Sequence, residues 1–391
     1  MKVFIDRFWQ RQTQCSSLLL ALVLTFSFTA QANLISVTSK GDSGGGTLRS
    51  AISTANGNGS GLDTISIDVS GDIILSSALP NITSSVTLIG GGANDIAIKA
   101  NSSKNVATYN VLNIIGAGIT VKLYDVSIMN GKTSNNGGGI RVLNAAALYL
   151  YRCNIEDNIS TGNSGGGVDV GVGDFYAYQT SFINNSHNSN GGGLACHQGS
   201  NSTVEVENCT FSGNSGNANQ SNHGGGAFHM YSFGGTHTIK FTNCTFSDNV
   251  LGGSQSNNGK SLFFAPFTGA TYNLTVLNCI LNDASTGNYY VYPGGGTLNL
   301  TRTYTLASDA TMSATGAGNS NSIANPLDSL GFYNGTTLVY GIDSASAAKD
   351  AGDTTNAPGV DQRGVPTSGS KDVGAFEYFE QACETPTFAT T

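Results

Sequence analysis

Charge is scarce in this chain: Asp, Glu, Lys and Arg together make up 11% of its 391 residues. Seventeen Lys and Arg stand against 25 Asp and Glu, for a net charge of −8. No basic stripe gathers the cations, which argues against nucleic acid or an anionic membrane surface as a partner. The acidic balance reads as a surface that maintains solubility. Long helical patterns are also missing, so the length does not come from an α-solenoid. Past the N-terminal segment, no stretch approaches 18 continuous apolar residues, so no transmembrane span is expected in the mature chain. Disorder does not fit either, because Val, Ile, Leu, Phe and Tyr are too plentiful. In place of charge the chain carries Asn, Ser, Thr and 52 Gly.

The first residues read as an export signal. Lys2, Arg7 and Arg11 precede the apolar stretch Leu18 to Phe26, and Ala30-Gln31-Ala32 is a small-x-small cleavage site. Residues 1–32 are therefore expected to be a signal peptide, and the mature protein exported to the medium or the cell surface. Residues 33–62 read as an N-terminal cap. Within it Leu48, Ala51, Ile52 and Ala55 are spaced as one face of a short helix, with Ser43 or Thr47 as its cap.

The rest of the chain repeats a phrase. Gly137-Gly138-Gly139-Ile140 leads to Ile155-Glu156-Asp157-Asn158. Gly165-Gly166-Gly167-Val168 leads to Phe182-Ile183-Asn184-Asn185, and Gly191-Gly192-Gly193-Leu194 to Phe211-Ser212-Gly213-Asn214. Gly224-Gly225-Gly226-Ala227 leads to Phe246-Ser247-Asp248-Asn249, and a degraded copy follows from Asn258 to Leu281. Repeats of this length indicate stacked coils. Two or three short strands per coil fit an all-β parallel β-helix of about ten coils over residues 63–342, with the helix near Thr47 capping its start.

Aligning the second strands sets a register through Val126, Cys153, Thr180, Cys209, Cys244, Cys279 and Thr303. Three and five positions upstream every residue is apolar, and the position between them is mostly polar or aromatic, so core and surface columns alternate. Asn208, Asn243 and Asn278 line up at a corner and are expected to form a hydrogen-bonded ladder from coil to coil. Cys209, Cys244 and Cys279 form a column in successive coils, read as buried free thiols. Tyr124, Tyr149, Tyr151, Tyr176 and Tyr178 fall on the outward columns of three adjacent coils. They predict an aromatic strip that either binds carbohydrate or a partner, or stacks on itself to stabilise the sheet.

The paired Gly-Gly-x-Ile and Phe-x-x-Asn phrases of residues 121–285 resemble the repeats of the polymorphic outer-membrane protein family. That resemblance implies a right-handed parallel β-helix at a bacterial surface, often with adhesive roles. The segment from Val37 to Asn56 is similar to the start of many large bacterial β-helix surface proteins. Asp350-Ala351-Gly352, Asp361-Gln362-Arg363-Gly364 and Asp372-Val373-Gly374-Ala375-Phe376-Glu377 resemble the choice-of-anchor module, which implies that residues 343–378 close the β-helix as a terminal coil or cap. The tail, 379–391, has no room for the outer-membrane barrel of the family.

β-Helices also carry polysaccharide lyases and hydrolases, which need paired carboxylates or a base with a cation. Asp169, Asp174, Glu205, Glu207, Glu156, Asp157 and Asp248 are scattered, so no catalytic residue is assigned. Aligning the glycine runs sets Cys196 beside His229, with His197 one further along, and nothing in the spacing makes a metal site of them. No cofactor is expected, and Ca2+ is an option that no residue pattern supports. The expectation is an exported, non-catalytic, adhesin-like rod that binds a polysaccharide or a neighbouring cell-surface component. The alternative is a polysaccharide lyase or related carbohydrate-active enzyme.

Overall fold

The computed structural model describes residues 32–379, apart from Ser60, Asn163, Ala284, Ser285, Ala314 and Ser368. The expected signal peptide, save Ala32, and nearly all of the tail lie outside the described residues. Among these residues the chain is a parallel β-helix. Its first face is a ten-stranded sheet that runs from Leu34–Val37 to Thr297–Thr303. A second face of nine strands runs from Gly71–Ile74 to Leu306–Ala307, and a third of seven from Leu112–Ile115 to Tyr289–Val291. A seam of five very short strands, from Lys132–Thr133 to Val250–Gly252, joins the second face to the third. Neighbouring strands on all faces are parallel and come from successive coils.

The alternation on the first face follows from the sequence. Val121, Leu148, Phe175, Val204, Ile239 and Leu274 stack in register and are buried. Lys122, Tyr149, Tyr176, Glu205 and Lys240, one residue on, point outward. On the second face Phe182, Phe211 and Phe246 stack inside the core with centroids 4.4 and 4.8 Å apart. The helix Leu48–Gly57 is capped by Thr47, whose Oγ1 accepts from Ser50 N at 3.3 Å. Its buried residues Leu48, Ala51, Ile52 and Ala55 join the main core. The expected cap also supplies the first strand, Leu34–Val37, of the ten-stranded sheet.

Two registers differ from the sequence alignment. Leu194 pairs with Phe228, not Ala227. The glycine that turns with positive φ in each coil is Gly137, Gly165, Gly191, Gly225 and Gly259, so conformation sets the register one residue later than the Gly224 run suggests. Cys196 therefore pairs with Met230 and faces the core, and Ala195 pairs with His229. In the last coil Leu277 pairs with Thr303, which puts Thr305 in line with Cys279 and Arg302 in line with Val276. Arg302 occupies a core column at the open end. Its Nη1 donates to Met312 O, Ser313 O and Asn321 Oδ1, and its Nη2 to Thr305 O and Ser320 O, at 2.5–3.2 Å.

The asparagines divide into two columns with different work. Asn208, Asn243 and Asn278 sit at the corner with φ of 53, 50 and 52°, as do Asp125, Arg152 and Gln179. Asn tolerates this left-handed region better than most residues. They do not bond one another, which corrects the expected ladder. Asn208 Nδ2 donates to Val360 O (3.0 Å), and Asn278 exchanges bonds with the backbone of Asp353. A left-handed corner aims the side chain outward, toward the C-terminal segment. The coil-to-coil ladder is Asn158, Asn185, Asn214 and Asn249, the Asn that ends each repeated phrase. Each Nδ2 donates to the next Oδ1 at 2.9–3.0 Å, and the last donates to Asp283 Oδ1 at 2.9 Å.

Residues 343–378 do not form a further coil. They lie with residues 326–342 along the outside of the second face, back toward the start of the rod. Asn154 Nδ2 donates to Thr336 O (3.4 Å), Gln179 Nε2 to Asp361 O (2.9 Å), Thr210 Oγ1 to Gln362 Oε1 (2.7 Å) and Ala375 N to Thr245 Oγ1 (3.0 Å). Val339, Ile342, Ala348, Val373, Ala375 and Phe376 pack with Ile280 and Leu306 as a second small core. The small polar residues that face outward on the second face are what let a strap lie flat on it. Asp361 and Asp372 hold the strap's own turns. Asp361 accepts from Arg363 and from the backbone of Val365 and Glu377, and Asp372 from the backbone of Asp350.

Candidate functional site

The first face brings all five predicted tyrosines together. Tyr124, Tyr151 and Tyr178 form one column, with ring centroids 4.4 and 5.1 Å apart and planes within 13°. Tyr149 and Tyr176 form the second, at 4.3 Å and 7°. Parallel stacking fixes each tyrosine over the one before it, because strand spacing matches ring spacing. All five are half-buried. The rings spend their faces on one another and turn edges and hydroxyls outward. Lys122 Nζ lies 5.5 Å from the Tyr149 centroid, and Arg152, paired with Asp125 at 2.6 Å, lies 6.0 Å from that of Tyr124. Burial, then the neighbouring Tyr124, pushes the Tyr151 hydroxyl up to about 12, so it stays a neutral donor.

A second locus lies on the third face, and sequence reasoning missed it. A cleft of about 400 Å³ opens there. Its floor is His197 and Tyr231, outward residues of adjacent strands, with rings stacked at 4.4 Å. One wall comes from loops that precede the glycine runs: Gly162, Ser189, Asn190, Gln220, Asn222 and His223. The other comes from turns after two third-face strands: Phe233 and Phe267, stacked at 4.6 Å. Phe233 is 65% exposed, an unusual position for a large apolar ring. His187 shapes the first wall: its Nδ1 accepts from the backbone of Ser189 and Asn190 at 2.8 and 2.6 Å. Ser189 Oγ in turn contacts His223 Nδ1 at 2.7 Å.

Beneath the floor lies a buried polar set. Ser164 Oγ donates to Asp169 Oδ1 at 2.6 Å. His197 Nδ1 lies 3.2 Å from Ser164 Oγ and 3.5 Å from Asp169 Oδ1. Burial dominates both partners: it pushes the Asp169 carboxyl up and the His197 imidazole down, against their mutual attraction. His229, fully buried, donates from Nδ1 to Gly224 O at 3.1 Å. The Nε2 atoms of His197 and His229 have no hydrogen-bond partner among the described residues. Stacking does bring His197 and His229 together, with centroids 6.3 Å apart, but Cys196 faces the core instead. Among the described residues no group of three or more His, Cys, Asp or Glu is placed to hold a metal ion.

The cysteine column is as buried as its register implies. Cys153, Cys209, Cys244 and Cys279 are free, and their thiols lie 3.2–3.4 Å from backbone carbonyls. Burial raises the Cys244 and Cys279 thiols, so they are inert. No described helix is long and apolar enough to cross a membrane. No protein-family model, curated protein or solved structure matches the chain.

Proposed function

We propose that the protein is an exported β-helical rod of a bacterial surface or its surroundings, which binds a polysaccharide or a neighbouring cell-surface component without catalysis. The cleft on the third face carries this reading. Exposed and half-exposed rings of Phe233, Phe267 and Tyr231 stand opposite the amides of Asn190, Gln220 and Asn222. Sugars present apolar C–H faces for rings and hydroxyls for planar amides, so this pairing suits them. The repeat phrases that resemble polymorphic outer-membrane proteins point the same way, toward an adhesive surface role. The tyrosine ladder is proposed as a second contact, through ring edges and hydroxyls. A lyase or hydrolase is less well supported, because the carboxylate nearest the cleft, Asp169, is fully buried under its floor.

The test is a glycan array followed by calorimetric titration of whatever binds, with the full chain and its Phe233→Ala variant. Removing the exposed ring is expected to weaken binding about tenfold in a variant that stays folded at the assay temperature. An array without signal defeats the proposal. An unsaturated uronate product, seen as rising ultraviolet absorbance on incubation with uronate polymers, would establish the lyase instead.

A further inference from the structure

We infer that the cleft selects neutral, hydroxyl-rich sugar chains over acidic ones, with Asp169 and Ser164 acting as positioning residues that hold His197 as a hydrogen-bond acceptor in its floor. This rests on the glycan-binding reading and narrows it.

Neutrality comes from the lining. Among the described residues its polar groups are amides, one serine, the Tyr231 hydroxyl and two imidazoles, and none is Asp, Glu, Lys or Arg. Burial lowers both His197 and His223, so neither supplies a cation near neutral pH. A uronate or sulfated sugar would bring a charge onto a lining without a counter-charge, since Arg141 lies beside the buried Asp169 and outside the lining, on a protein of net charge −8. A neutral pyranose meets no such penalty.

The tautomer follows from counting hydrogens. Ser164 has one hydroxyl hydrogen, and it goes to Asp169 Oδ1. Toward His197 Nδ1, therefore, Ser164 offers only a lone pair, and so does the Asp169 oxygen. With Asp169 ionised, Nδ1 carries the proton, which leaves Nε2 a bare acceptor. That atom has no partner among the described residues, a cost that a buried polar group normally avoids. A sugar hydroxyl is the donor that fits a floor between stacked rings. Nε2 is shielded from solvent, so contact with a sugar hydroxyl requires a side chain of the cleft to turn aside.

The experiment uses length-matched oligosaccharides of two kinds: neutral gluco-, manno- and galacto-oligomers, and oligogalacturonate and oligoguluronate. Calorimetry on the full chain is expected to give binding to a neutral series and at least about tenfold weaker binding to every acidic one. His197→Phe keeps the ring on Tyr231 and deletes the acceptor; a loss of about tenfold is expected, with unchanged affinity for an analogue whose contacting hydroxyl is O-methylated. Asp169→Asn should cost less, about threefold, and Ser164→Ala serves where that buried variant does not fold. Tighter binding of an acidic oligomer overturns the inference and leaves glycan binding standing. Equal affinity of wild type and His197→Phe for the neutral ligand overturns the acceptor role. Absence of binding by both kinds overturns the inference together with the reading beneath it.

Discussion

Replacing Asp283 by asparagine should remove a pH-dependent weakness from the interior of the rod. Asp283 ends the asparagine ladder. Its Oδ1 accepts from Asn249 N and Nδ2 at 2.8 and 2.9 Å, and its Oδ2 accepts from Ser261 Oγ. Every earlier position of that ladder is an amide. Burial, only partly offset by these donors, pushes the carboxyl from its ordinary 3.8 up to about 7. The folded protein thus holds a proton that the unfolded chain releases between about pH 4 and 7, so stability is greatest below that window and falls as pH rises through it. The full displacement corresponds to at most about 4 kcal/mol at pH 8. For a protein of this size that ceiling amounts to several degrees of melting temperature, about 2 °C per kcal/mol or less. In the Asp283→Asn variant the new amide can accept from Asn249 and donate to Ser261 with no charge to bury. Melting temperatures of both proteins, measured by circular dichroism from pH 4 to 8, should diverge as pH rises, with Asp283→Asn the more stable above pH 7. Other buried carboxyls, including Glu377, also raised to about 7, titrate equally in both proteins and cancel in the difference. Parallel curves across the whole range would refute the reasoning.

Two further variants probe the first face and the open end. Tyr149→Ala with Tyr176→Ala removes one tyrosine column and should destabilise the rod by about 1–3 kcal/mol in urea, because each stacked pair adds to plain burial. If the ladder also contacts a partner, the same variant loses cell- or glycan-binding signal even at temperatures where it is fully folded; unchanged binding limits the ladder to stability. Arg302→Met puts an apolar side chain back into the core column but deletes the bonds that the guanidinium donates to Met312 O, Ser313 O, Asn321 Oδ1, Thr305 O and Ser320 O. A loss of about 3 kcal/mol is expected, seen as faster hydrogen exchange confined to residues 303–322. Exchange at wild-type rates there would mean that the guanidinium is not what closes this end.

Period-two alternation makes the coils legible, and its symmetry sets what stays hidden. A slip of one residue turns a core column outward and is visible in Val121, Leu148 and Phe175; a slip of two keeps every residue on its side and is not. That is why the last coil aligns on Thr303 when the backbone uses Thr305, and why Arg302 escapes notice in the core. Glycine identity misleads at the fourth run for a related reason: three glycines look alike in sequence, and only positive φ at Gly225 tells which one turns. The two asparagine columns are equally regular, so regularity could not say which one bonds to itself. Left-handed φ at Asn208, Asn243 and Asn278 sends their side chains out, and that conformation has no periodic signature. The strap and the cleft lie beyond local pattern altogether. Asn154 and Thr336, or Gln179 and Asp361, meet across 182 residues, and Phe233 and Gln220 belong to turns whose lengths vary from coil to coil. Outward columns of a solenoid can be read from a repeat, as the tyrosines show, because the repeat fixes which side chains neighbour one another. A cleft needs the places where coils differ, and the insertions that break the repeat at residues 218–223 and 233–234 are the ones that build its walls.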